Sequence, residues 1–224
     1  KVLSLLSMQT TAGRLYEADL RLRPDGSKGM LVSTLQSFLD YQRERAWVWE
    51  QQALVRARFV AGDTDMGARF DAARREVLQQ SRQQSEVFRE VAAMRMRMRV
   101  AHDRSRDERF DLKQGEGGLV DLEFLLQALV LTHAAHVPAL VDARETADLI
   151  ARCGEAGLLS GAQVAQALAA HAVLLARGLA CTLDGRARIV RSDTPIEHAR
   201  VAIGRLWIAV GLPPTVVDLR AAKN

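Results

Sequence analysis

Cysteine is almost missing from this chain. Cys153 and Cys181 are the only two in 224 residues. Both sit in apolar, helix-like sequence, which argues against a disulfide-stapled scaffold and leaves two reduced core thiols in a cytoplasmic protein as the expectation. Aromatic residues are scarce at 5%, and with Ala, Leu, Arg and Gln abundant the composition favours helices over sheets. Long hydrophobic runs are missing too. The longest, Leu119–Leu131, is interrupted by Asp121, Glu123 and Gln127, so no membrane span is expected. The opening Lys1-Val2-Leu3-Ser4-Leu5-Leu6 is too short for a secretory signal and has no cleavage site. Because the chain begins at Lys1 rather than Met, it is expected to be a piece of something longer. His102, His133, His136, His171 and His198 are scattered, with no third ligand at zinc spacing beside His133 and His136. No Ser/His/Asp or Cys/His nucleophile arrangement is legible.

What is present is a chain with 48% apolar residues, enough to bury a real core. A formal charge of +4 and a pI near 9.5 suit anionic ligands such as nucleotides but are too weak to argue for nucleic acid. Residues 1–9 read as the end of a helix. Tyr16–Pro24 alternates with period two: Tyr16, Ala18, Leu20 and Leu22 on a core face, Glu17, Asp19, Arg21 and Arg23 opposite. Pro24-Asp25-Gly26-Ser27-Lys28-Gly29 is turn chemistry, and Met30-Leu31-Val32 reads as the returning strand of a hairpin. Helices follow: from Ser33 or Thr34 to about Arg45, then near 46–56, 65–81, 84–101, 119–135, 142–153, 160–183 and 195–211. Phe110-Asp111-Leu112-Lys113 reads as short and extended. The fold class expected is mainly α: a β-hairpin joined to an α-helical bundle.

Three stretches carry chemistry. Two carboxylates and two guanidiniums on the Glu17–Arg23 face suit a metal-bound polyphosphate, or equally an exposed, salt-bridged edge strand. In Trp47–Arg58, Glu50 is placed to orient Arg56 or Arg58 toward a phosphate, or the tryptophans are core and the charges solvated. In Lys113-Gln114-Gly115-Glu116-Gly117-Gly118, glycines before a helix let backbone N–H groups approach an anion, with Lys113 adding charge. No Gly-Lys-Ser/Thr follows, so this is not a Walker A loop. Asp121 and Glu123 project about 160° apart at the α-helical repeat; Glu123 shares a side with Gln127. Carboxylates in so apolar a helix need partners, and the arginines of the first two stretches are the expected ones. Met94-Arg95-Met96-Arg97-Met98-Arg99 reads as a half-buried helix with solvated arginines.

The strings YEADLRLRPDGSKGMLV, FLDYQRERAWVWEQQALVRARFVAGD and FDLKQGEGGLVDLEF occur in this order. Together they resemble the bacterial glutamine synthetase adenylyltransferase, a bifunctional enzyme that adds AMP to a tyrosine of glutamine synthetase and removes it. The resemblance is dense from Leu15 to Leu131, and the wording AWVWEQQALVRAR is similar to the C-terminal, AMP-adding half. It implies a remnant of a polymerase β-like nucleotidyltransferase sheet over 1–62 and a helical bundle over 63–224. The alternatives left beside it are the AMP-removing half and a non-catalytic helical docking module. The family uses three carboxylates for Mg²⁺. Asp19 is implied as the third, a metal ligand and base, with Glu17 a second metal-ligand candidate. Arg21, Arg23, Arg56, Arg58 and Lys113 are implied phosphate contacts, with Glu50, Asp121 and Glu123 as supporting carboxylates. The Gly-Ser turn followed by Asp-x-Asp has no counterpart in residues 1–15, so this stretch is expected to bind Mg²⁺·ATP weakly and to transfer no AMP alone. Glutamine synthetase, a PII-type signal protein and ATP are the implied partners, without nucleic acid or membrane.

Overall fold

A computed structural model describes residues 2–11, 13–14, 18–20 and 22–214. The fold is mainly α, as expected. A short helix α1 (Val2–Leu6) leads into a two-stranded antiparallel ribbon, β1 (Gln9–Thr10) and β2 (Gly13–Arg14). Helices α2 (Leu35–Glu44), α3 (Val48–Leu54), α4 (Thr64–Leu78) and α5 (Gln84–His102) follow. After β3 (Arg109–Asp111) come α6 (Leu119–His133), α7 (Thr146–Glu155), α8 (Gly161–Leu183), β4 (Ile189–Arg191) and α9 (Thr194–Ala209).

Short-range chemistry sets these helix ends. The Thr34 hydroxyl accepts from Ser37 N at 3.1 Å, and Asp63 Oδ1 accepts from Met66 N at 2.9 Å. Ser160 and Gln163 close a reciprocal box at the start of α8. Helix α6 is buried nearly all round, from Leu119 to Leu131, and packs against α3, α5, α7, α8 and α9. A helix apolar on every face belongs in the centre, and the others form a shell around it. Packing runs on across residue 62: Leu54 and Val55 of the α3 end share one core with Val77, Leu78 and α6.

The hairpin expected over Tyr16–Val32 is not formed by its described residues. Asp19 and Leu20 are irregular, Gly26–Lys28 is a 3₁₀ turn, and Met30, Leu31 and Val32 are exposed without strand pairing. Leu22, expected inward, is 59% exposed. The turn closes on itself because the Arg23 guanidinium donates to the carbonyls of Leu20 (2.7 Å), Gly29 (3.1 Å) and Ser27 (3.2 Å). Among the described residues no neighbouring strand takes its ladder bonds, and a lone two-stranded ribbon is marginal. Tyr16, Glu17 and Arg21 lie outside the described residues.

Helix α8 amends a second expectation. Its 23 residues reach a mean hydropathy of 1.5, long and apolar enough by length and composition to cross a membrane, and 28% of that window is buried. Alanine raises its hydropathy without making a continuous run of large side chains. Its buried stripe, Ala167, Ala170, Leu174, Gly178 and Cys181, follows the helical repeat, and α9 is its main packing partner.

Cys153 and Cys181 are free and buried, as expected, and burial pushes the Cys153 thiol up to about 12. A protonated, enclosed thiol is a poor nucleophile. Native protein is therefore expected to resist iodoacetamide at pH 8 and to take up two labels after unfolding; rapid native labelling would contradict the packing around α7 and α8.

Candidate functional site

The residues expected to form a site are dispersed, and three of them meet. A cavity of about 600 Å³ opens between the 19–22 segment and helices α3, α5 and α6. Asp19 and Arg56 both line it. Arg56 emerges just past α3, and its Nη1 donates to Glu123 Oε1 of α6 at 2.7 Å. Glu123 was expected to share a side with Gln127, and both turn to α3: Glu123 to Arg56, and Gln127 to Gln52, whose Nε2 donates to Gln127 Oε1 at 3.1 Å. Burial holds His171 of α8 below its ordinary range, with Glu123 and Arg56 acting in opposite directions on it. Its imidazole is therefore neutral at pH 7, beside the charged Arg56.

The glycine-rich loop does not make a phosphate cradle. Apart from Glu116, its amides already have protein acceptors. Lys113 N and Gln114 N donate to Asp111 Oδ1, both at 3.0 Å, and Gly115 N donates to Asp111 O at 2.8 Å. Gly118, Leu119 and Val120 donate to the carbonyls of Gly115, Leu112 and Lys113. Gly117 N donates to Asp121 Oδ2 at 2.7 Å, so the anion at the start of α6 is the chain's own carboxylate. Packing explains the glycines. A Cβ on Gly117, where φ is +75°, would lie 2.5 Å from Arg200 O, and one on Gly115 would lie 2.3 Å from Phe110 Cε2. The Lys113 side chain is exposed beside this loop.

Asp121 is sealed between helices rather than turned to a ligand. Arg95 Nε donates to its Oδ1 and Arg99 Nη2 to its Oδ2 at 2.8 Å, while Arg95 Nη2 reaches Gln114 O at 2.7 Å. The partners are thus arginines of α5, not Arg56 or Arg58, and the expectation of solvated arginines fails for two of the three: Arg95 is fully buried and Arg99 nearly so, while Arg97 is exposed. The signal was in the spacing. Val87, Val91, Arg95 and Arg99 continue one buried stripe at steps of four.

Glu50 likewise serves the scaffold. Its carboxylate accepts from the Tyr41 hydroxyl at 2.7 Å and from Trp47 N at 2.9 Å, the reach-back bond of a capping box. It does not orient Arg56. Burial, then the bond to Glu50, raises the Tyr41 pKa. Arg23 is committed to its own turn, and Arg58 lines a separate opening beside Phe38, Phe59 and Phe70. Glu17 and Arg21 lie outside the described residues.

One residue was missed altogether. Arg74 of α4, with no exposed surface, donates from Nε and Nη2 to the carbonyls of Leu54 (2.6 Å) and Val55 (2.7 Å), and from Nη1 to Val141 O at 2.9 Å. It occupies the carbonyls that the end of α3 leaves over. Burial lowers its pKa to about 10, so it stays charged at neutral pH. Its place on the buried face of α4, between Gly67 and Val77, was the available sign.

Comparison with known proteins agrees with the motifs. Residues 1–73 match the family model of glutamate-ammonia ligase adenylyltransferase, and residues 66–180 that of GlnD PII-uridylyltransferase. The bifunctional glutamine synthetase adenylyltransferase/adenylyl-removing enzyme of Stenotrophomonas maltophilia K279a is 53% identical over 95% of this chain. The proteins of the same description from Xanthomonas axonopodis pv. citri and Bordetella bronchiseptica are 51% and 42% identical over 89% and 94%. The chain spans 23%, 21% and 22% of these three relatives' lengths. It belongs to the family of bifunctional glutamine synthetase adenylyltransferase/adenylyl-removing enzymes.

Proposed function

We propose that this chain is part of the C-terminal, adenylylating half of such an enzyme, which moves AMP from ATP onto a tyrosine of glutamine synthetase in the cytoplasm. The observation supporting this is that Asp19 and Arg56 open on one cavity, with Arg56 held by Glu123. A guanidinium so positioned suits phosphate oxygens. In this reading residues 1–62 are the partial catalytic piece and 63–224 the bundle that carries its walls, with a PII-type signal protein as a second partner.

The family implies magnesium. Among the described residues no group of three or more His, Cys, Asp or Glu side chains is placed to hold a metal. The described residues thus do not assemble a magnesium site by themselves, and their part is limited to binding: Asp19 as a single carboxylate, Arg56 as the phosphate contact.

Isothermal titration of the 224-residue chain with Mg²⁺·ATP tests this. Binding is expected to be weak, roughly millimolar. Asp19→Ala or Arg56→Ala is expected to weaken it by about tenfold, the scale of one charge-assisted contact. Incubation with glutamine synthetase and labelled ATP is expected to give no label on the tyrosine, and transfer by the chain alone would overturn that part. Titration indifferent to both substitutions would instead make the chain a docking module for glutamine synthetase or the PII-type protein.

A further inference from the structure

A second groove, of about 630 Å³, runs between the start of α3 and one face of α5. It shares a wall with the cavity of Asp19 and Arg56: Trp49 and Met94 line both, so what occupies the groove lies beside what occupies the cavity. Its outer lip is Trp47, 66% exposed. The backbone beneath this indole is fixed. Trp47 N donates to the buried Glu50 carboxylate at 2.9 Å, and that carboxylate also accepts from the Tyr41 hydroxyl. A large indole presented to water on a rigid support suits an interface anchor, because it gains apolar contact at little cost in side-chain entropy.

The α5 wall supplies charge. Arg89 and Arg97 both line it. Arg97 makes no ion pair among the described residues, and the pair of Arg89 is a 3.9 Å contact with Glu86 in which both side chains are exposed. Glu90 shares the wall, and its carboxylate repels a uniform row of phosphates. A polypeptide can place its acids opposite the two arginines and an uncharged residue between them. Eight residues of α-helix set Arg89 and Arg97 about 12 Å apart along the axis, a span that an extended chain covers in about four residues.

We propose that this groove docks the polypeptide that receives AMP, as an extended segment with an apolar or aromatic residue on Trp47 and carboxylates about four residues apart on Arg89 and Arg97. The inference rests on the transfer reading above and adds where the protein substrate lies and which chemistry it presents. Transfer from phosphates held at Arg56 needs an acceptor hydroxyl next to them, and this groove shares the wall of that cavity.

Binding of purified glutamine synthetase to the 224-residue chain, followed by biolayer interferometry, tests the surface apart from the chemistry. The unaltered chain is expected to bind, and to bind more weakly as salt rises. Trp47→Ala is expected to weaken binding by about tenfold or more at an unchanged circular dichroism spectrum, the scale of a lost interface anchor. Arg89→Glu and Arg97→Glu are each expected to weaken it by about fivefold or more. Arg106→Glu, the same charge change at an exposed arginine outside the groove, is expected to cost less than about twofold. Mg²⁺·ATP titration of Trp47→Ala is expected to match that of the unaltered chain within about twofold. No binding of glutamine synthetase, or equal weakening by Arg97→Glu and Arg106→Glu, would overturn the docking assignment. Indifference to Trp47→Ala would overturn it too, leaving the groove as a seat for another part of the longer enzymes. Loss of Mg²⁺·ATP binding by the unaltered chain beside a Trp47-dependent complex would instead remove the nucleotide reading and leave the docking surface standing.

Discussion

Asp121→Ala is expected to lower the unfolding free energy by about 3–5 kcal/mol, the range found when one member of a buried ion pair is removed. The carboxylate holds three donors: Arg95 Nε, Arg99 Nη2 and Gly117 N. Its loss strands the fully buried Arg95 guanidinium, whose pKa burial already lowers and which Asp121 pulls back up. The two remaining like charges then face each other, with the exposed Glu116, 3.6 Å from Arg99, left as a partial counter-ion. Against a typical domain stability of about 5–15 kcal/mol, that loss threatens folding near 37 °C. Urea unfolding followed by circular dichroism measures it as a shift in midpoint at constant slope. The double replacement Arg95→Met with Asp121→Leu is expected to recover much of the loss, since buried ion pairs are replaceable by well-packed apolar groups. A loss under about 1 kcal/mol for Asp121→Ala, the scale of an exposed pair, would show that water reaches the cluster.

The second large effect is expected at Arg74. Arg74→Met keeps most of the volume, so the cost is chiefly polar: the carbonyls of Leu54, Val55 and Val141 lose the guanidinium together, and of these Leu54 O keeps Ala57 N at 3.1 Å. At about 1–3 kcal/mol for each buried group left unpaired, with partial relief from relaxation, the expected loss is about 3–5 kcal/mol. The effect has a location as well as a size. Arg74 ties the end of α3 to α4 and to the turn at Val141, and α3 carries Gln52 and leads into Arg56. Amide exchange is therefore expected to quicken first around residues 50–56, ahead of the α8–α9 pair. Arg74→Lys is expected to fall between, because an ammonium lacks the planar fork that meets carbonyls on two sides. Uniform exchange throughout the chain would mean that α3 and the bundle open as one unit and that Arg74 has no special place in holding them.

The helices were legible because their causes are local. Thr34, Asp63, Ser160 and Asp193 cap the ends where the sequence places them, and α6 reads as central from its all-round apolarity. The extended Phe110 segment was legible too. Its partner strand was not: Ile189–Arg191 is three residues long and pairs with β3 from far along the chain, with no alternation of its own to mark it. The Tyr16–Val32 hairpin failed for the opposite reason. Its alternation was clear, but alternation describes a strand only where another strand takes its hydrogen bonds, and among the described residues Arg23 takes the turn's carbonyls instead.

The sequence by itself determined the family, the mainly helical class and the need for charge partners inside α6. Asp121 and Glu123 demanded cations wherever the chain folded, because a carboxylate does not stay ionised in an apolar helix unpaired. Which cations answered was decided only by tertiary structure. Arg95 and Arg99 sit on the stripe that faces α6, so they reach Asp121, while Arg56 leaves the end of α3 beside Glu123. Helical spacing fixes the face a charge occupies, and the packing of one helix against another, set by burial rather than by any local rule, fixes what that face meets.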